Sequence, residues 1–116
     1  MEDTTLRIDI ESHANITVLT PHGDVDMNRT PALRERLIQA QRAKPSRVVV
    51  DLAHVEYMDS SGLATLVEAM RNAKRFQVEL VLCSLNPRVR AIFEIAHLQE
   101  FFTILPTRDQ ACESPA

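Results

Sequence analysis

The stretch RVVVDLAHVEYMDSSGLATLVEAMRNAKRF, residues 47–76, decides how this chain folds. Its first part, RVVVDL (47–52), is a short unbroken run rich in β-branched residues. Such a run suits a central strand covered on both faces, because a strand with one wet face alternates apolar and polar residues. The later part, GLATLVEAMRNAKRF (62–76), changes period. Leu63, Leu66, Val67 and Met70 recur at i, i+3, i+4 and i+7, which predicts a helix with a core-facing stripe. Between them stand Asp59, Ser60 and Ser61, three residues of the types that cap helix N-termini. A buried strand, a short link and a capped helix together make the repeating unit of an α/β fold.

The same alternation continues downstream. QVELVLCSL (77–85) reads as another buried strand, Asn86–Pro87 as a cap followed by proline, PRVRAIFEIAHL (87–98) as a third amphipathic helix and FFTIL (101–105) as a short last strand. Upstream, LRIDI (6–10) and NITVLTP (15–21) alternate and are expected to form a hairpin across ESHA (11–14). A loop, HGDVDMNR, then leads to Thr30–Pro31, where the threonine is expected to accept from an orphan N–H and the proline to fill the first helical position. The helix that follows places Leu33, Leu37, Ile38 and Ala40 or Gln41 near one face. The order is β, β, α, β, α, β, α, β. Strand–helix alternation from residue 47 onward implies right-handed crossovers and largely parallel pairing, and the opening hairpin makes the sheet mixed. Residues 1–106 are expected to form one domain. Residues 107–116 are a polar tail, expected to form one short helix or to lack fixed structure.

Composition narrows the function classes. Of 116 residues, 45% are apolar and 25% charged, as in ordinary globular domains, and the formal charge is −3. That balance argues against nucleic-acid binding, which needs a basic face to neutralise phosphates. No apolar run approaches the ~20 residues of a membrane span. MEDTTLRIDI has no apolar signal-peptide core, so a cytoplasmic location is expected. Cys83 ends an apolar run and Cys112 lies in the tail, without metal or redox spacing, and reduced thiols are expected. The two glycines, Gly23 and Gly62, cannot build a phosphate-cradling loop. His13, His22, His54 and His97 are scattered singly, so neither metal nor cofactor is expected. DSSGL is not the GxSxG elbow of a hydrolase, which argues against an enzyme.

What remains is the serine pair. Either it only caps the helix, contributing about 1 kcal/mol, or it accepts a phosphate. A helix N-terminus favours added negative charge through its free N–H groups and its dipole. A phosphate adds about −1.5 to −2 charges, here beside Asp59 and, if the GDVD loop folds nearby, beside Asp24 and Asp26. The fold would survive such a change while its surface charge shifts sharply.

These residues bring a family into view. VVVDLAHVEYMDSSGLATLVEAM followed by VELVLCSLNPRVRAIFEIAHLQEFFTI resembles the STAS domain of bacterial anti-sigma factor antagonists, and LTPHGDVDMNRTPALRERL is similar to that family's acidic loop and first helix. The resemblance implies a mixed sheet with helices packed mainly on one face. It implies partner switching without enzymatic activity. The unphosphorylated protein binds an anti-sigma factor that is also a serine kinase and frees a sigma factor; phosphorylation ends binding, and a serine phosphatase resets the system. Carried over by motif, Ser60 is the phosphoacceptor and Asp59 the preceding acid on the kinase-facing loop. Ser61 helps to cap the helix, Gly62 lets a partner backbone approach, and Asp26 and Asp24 are acidic loop positions facing the kinase. The alternative is a STAS module that is not phosphorylated, a docking subunit of a lipid-transport or sensory complex, in which DSSGL only caps the helix and shapes a surface.

Overall fold

The computed structural model describes residues 6–113. β1 (Arg7–His13) and β2 (Ile16–His22) pair antiparallel from Arg7 opposite His22 to His13 opposite Ile16. Only Ala14 and Asn15 form the turn, both with positive φ (51° and 64°). Two left-handed residues match the right-handed twist of a hairpin. The strands therefore run further than alternation suggested, and Glu11–His13 belong to β1 instead of a loop.

The remaining elements are α1 (Thr30–Arg42), β3 (Arg47–Asp51), α2 (Ser60–Phe76), β4 (Glu79–Cys83), α3 (Pro87–Ile95), β5 (Thr103–Leu105) and α4 (Arg108–Ala111). They form one five-stranded sheet in the order β1-β2-β3-β4-β5, with β2 to β5 parallel. Each crossover steps one strand in the same direction, and right-handed crossovers of that kind leave their helices on one face. The core bears this out. Val48 and Val50 of β3 and Leu80 and Leu82 of β4 pack with Leu33, Leu37, Leu66, Val89 and Phe93 from α1, α2 and α3. The alternate residues Val49, Val81 and Cys83 point to the other face, with Ile16, Val18 and Ala111 of α4. Every residue of β3 is buried, as its unbroken apolar run predicts.

Burial of β3 includes its charged ends. Arg47 is paired with Glu79 and donates to the backbone carbonyls of Ala111 (2.8 Å) and Glu113 (2.7 Å). Asp51 accepts from the Ala53 N–H and lies 3.6 Å from Arg108, which also pairs with Glu11. The polar segment after residue 106 thus includes a short helix, and two arginines fasten it beneath the sheet.

Two other boundaries differ from expectation. α3 stops at Ile95, where Ala96 caps it and His97 turns left-handed (φ 58°). Phe101 and Phe102 precede β5 instead of opening it, because their rings stack edge-on with each other and Phe102 meets Phe93 in the core. At α1, the Thr30 hydroxyl donates to the Met27 carbonyl instead of accepting an N–H, and Ile38 is only half-buried. No side chain caps α1, whose N-cap is Arg29; Asp26 Oδ1 instead accepts from the N–H groups of Asn28 and Arg29, both at 3.1 Å, and so fixes the turn that leads into the helix.

Candidate functional site

Parallel strands carry their sites where the connecting loops leave the C-terminal ends. Here the loops after β2 and β3 do not lie apart. The Gly23 N–H donates to the His54 carbonyl (3.0 Å), Val25 N–H to the Tyr57 carbonyl (2.9 Å) and Asp59 N–H to the Val25 carbonyl (3.2 Å). Val25 and Met58 form a parallel bridge, so the two loops extend the sheet by one rung. The third loop joins through Asn86. It caps α3 by accepting from the Val89 N–H and donates its side-chain amide to the Val55 carbonyl (2.9 Å). His22 and His54, expected as scattered residues, stack at 4.6 Å beside this junction, and His22 reaches Asp9.

At the centre of this junction is Asp59, the N-cap of α2. Its Oδ1 accepts from the Ser61 N–H (2.9 Å), the Gly62 N–H (3.2 Å) and the Ser61 hydroxyl. Its Oδ2 accepts from the Met27 N–H of the neighbouring loop (3.2 Å). The Ser61 hydroxyl, then the amides of Gly62, Ser61 and Met27, hold its carboxyl below the ordinary range, against the opposing effect of desolvation. One carboxylate therefore starts the helix and ties two loops together.

The two serines have different surroundings. Ser61, in the first turn, gives its hydroxyl proton to Asp59, so it supports the cap without being one. Its carbonyl accepts from the Thr65 hydroxyl (2.9 Å). Ser60 is the first helical residue and is exposed. A group added to its hydroxyl enters solvent and displaces no core side chain. The expectation of free amides at this helix end needs correction, because Asp59 already occupies those of Ser61 and Gly62. What the helix offers a phosphate on Ser60 is its dipole, opposed by the adjacent carboxylate.

Gly62 also differs from expectation. It is buried and faces its own chain. A Cβ there would lie 2.6 Å from Met58 Cγ, 2.9 Å from Val25 Cγ1 and 3.0 Å from the Val25 carbonyl oxygen. The missing side chain is what lets α2 start against the joined loops. Asp26 is half-buried, with one oxygen holding the turn into α1 and the other 3.9 Å from Arg29. The Asp24 carbonyl accepts from Arg29 (3.4 Å).

Two residues of the site were absent from the sequence reading. Met27 is 72% exposed and Tyr57 48%, and each sits on one of the joined loops. A large apolar residue inside an otherwise polar loop, as in DVDMNRT and HVEYMD, was the available signal. Among the described residues, no cluster of three or more His, Cys, Asp or Glu side chains could hold a metal, and no helix is long and apolar enough to cross a membrane.

Comparison with known proteins agrees with this architecture. The chain is 35% identical over 82 residues to the anti-sigma-B factor antagonist of Listeria monocytogenes, covering 71% of this chain and 72% of that protein. It is 27% identical over 105 residues to the anti-sigma F factor antagonist of Paenibacillus polymyxa, covering 90% and 87%. The crystal structure of an anti-sigma factor antagonist from Mycobacterium paratuberculosis superimposes with a TM-score of 0.83 at 24% identity, covering 95% and 93% of the two chains. With the STAS domain model matching residues 7–111, nearly all of the described fold, the chain belongs to the STAS domain family.

Proposed function

We propose that this protein is an anti-sigma factor antagonist that works by partner switching, with Ser60 as the switch. Unphosphorylated, it binds an anti-sigma factor that is a serine kinase, and the sigma factor is released. The Ser60 oxygen bonds to the γ-phosphorus of ATP as the bond from that phosphorus to the ADP oxygen breaks; ADP leaves with the electron pair, the serine proton passes to a base of the kinase, and the modified antagonist dissociates. A serine phosphatase restores the hydroxyl. In this reading the protein is a substrate and a binding module.

The observation that carries the proposal is the contrast between the serines: Ser61 is held by Asp59, while Ser60 stands exposed at the helix start. The names of the relatives support the antagonist part of this reading. Asp24 and Asp59 belong to the surface a kinase meets, whereas Asp26, Ser61 and Gly62 set the geometry of that surface. Binding of the kinase should survive in Ser60→Ala and fall at least tenfold in Ser60→Asp and Ser60→Glu, as read by calorimetric titration. Melting temperatures of all three should stay near wild type, since an exposed first-turn residue contributes about 0.5 kcal/mol or less. Equal binding by all forms would contradict the proposal and favour a docking module that is not switched.

A further inference from the structure

Resting on that reading, we infer that Met27 and Tyr57 are the anchors by which the kinase holds the antagonist, and that phosphate on Ser60 releases the kinase through the cost of burying it between them. A stable interface covers about 800 Å² on each partner, a patch of roughly 16 Å radius. Tyr57 is three residues from Ser60, within about 11 Å by chain reach. The Met27 N–H bonds to the side chain of Asp59, the residue before Ser60. A partner whose footprint is centred on Ser60 therefore reaches both loops. They are two of the four large apolar side chains exposed among the described residues; the others, Ile10 and Ile95, lie on β1 and at the far end of α3.

Their backbones are already fixed. Met27 is tied to Asp59, and the Tyr57 carbonyl accepts from Val25. Anchors on fixed backbone bind with little ordering cost, and aromatic residues dominate binding energy at interface centres. The matching surface on the kinase is an apolar depression. A hydroxyl at Ser60 fits beneath such a seal, because burying one neutral group is inexpensive when it is hydrogen-bonded. A phosphate dianion has to shed its water there, and that penalty is far larger. The free protein does not meet this cost, since Ser60 is exposed. The switch therefore acts on the complex and leaves the fold alone.

The test is calorimetric titration of the full-length protein with its candidate anti-sigma factor kinase, with Ser60 phosphorylation read on the same samples. Met27→Ala and Tyr57→Ala should each weaken binding roughly tenfold with unchanged melting temperature, and Ile95→Ala should bind as wild type. The Ser60-phosphorylated form should stay weak when salt is raised to about 1 M, where charge repulsion is screened beyond ~3 Å. Wild-type affinity in both loop variants, alongside normal phosphorylation of wild type, would overturn the anchors while leaving the switch intact. Recovery of the phosphorylated form at high salt would replace burial with simple repulsion. Absence of both binding and phosphorylation in wild type would overturn the proposed function and this inference with it.

Discussion

Asp59 carries more of the site than any other residue, and its chemistry is specific. Both carboxylate oxygens accept, Oδ1 from the helix start and Oδ2 from the Met27 N–H. An asparagine can keep only the first set, because its NH2 would face the Met27 N–H. Asp59→Asn should therefore cost about 1 kcal/mol and Asp59→Ala about 2 kcal/mol, within the range for a helix cap, as checked by urea unfolding. Ionisation gives a second signature. The folded-state pKa of Asp59 is lowered from 3.8, so its contribution is fully present above that value and is lost as pH falls through the folded value. Below about pH 4, wild type should lose stability faster than Asp59→Asn, and melting curves between pH 6 and pH 3 would show the difference. Gly62 supplies the counterpart in packing. Gly62→Ala puts a methyl against Met58 and the Val25 backbone, and should cost roughly 1–3 kcal/mol by overpacking. A stability unchanged within 0.5 kcal/mol, ~the ordinary scatter for surface changes, would show that the loops give way freely.

Among the elements, α1 and α2 show how local pattern and tertiary demand meet. Leu33 and Leu37 pack inward as the helical period predicts, but the next inward position is Gln41, fully buried. Its amide donates to the Ala69 carbonyl of α2 (2.8 Å) and its Oε1 is buried without a hydrogen-bond partner among the described residues. An unmatched buried acceptor is costly, and the carbonyl it serves lies within a helix ladder. Gln41→Met should therefore be neutral or stabilising by up to about 1 kcal/mol in thermal unfolding; a clear loss would mean that this one bond fixes the helix pair. Most elements were legible because they obey one rule each. β3 and β4 are continuous apolar runs, α2 has its stripe, and Asn86–Pro87 starts α3 as written. What escaped was decided between elements. Asp26 makes a local turn, accepting from the N–H groups two and three residues on, but Thr30–Pro31 offered a competing helix start in the same stretch, and where the loop is pinned to Asp59 is not local. Nor does the DSSG stretch reveal that Gly62 makes room for Val25, a contact 37 positions away by sequence number.

At the scale of the molecule, the two faces of the sheet are covered unequally. Three helices shield one face. Beneath the other, α4 covers an apolar strip of Val49, Val81 and Cys83, and burial pushes the Cys83 thiol up to about 11. Arg47 and Arg108 hold that helix in place across the chain. Removing residues 107–116 should cost about 2–4 kcal/mol, since charged hydrogen bonds contribute roughly 1.5–3 kcal/mol and the strip is rehydrated. Urea unfolding of the shortened chain reads this directly, and a loss below about 0.5 kcal/mol would mean that α4 is dispensable. The proposed switch lies at the C-terminal ends of the parallel strands. Parallel strands deliver three loops to one edge, hydrogen bonds join them, and the joined loops present Ser60 beside two exposed apolar side chains. The central claim is that this serine is the phosphoacceptor. Phosphopeptide mapping by mass spectrometry, with the candidate anti-sigma factor kinase and ATP, tests it most directly. The account predicts one phosphate per chain, on Ser60 and not on Ser61. A kinase active on another substrate that leaves Ser60 unmodified would contradict it, and would return both serines to the start of α2 as structural residues.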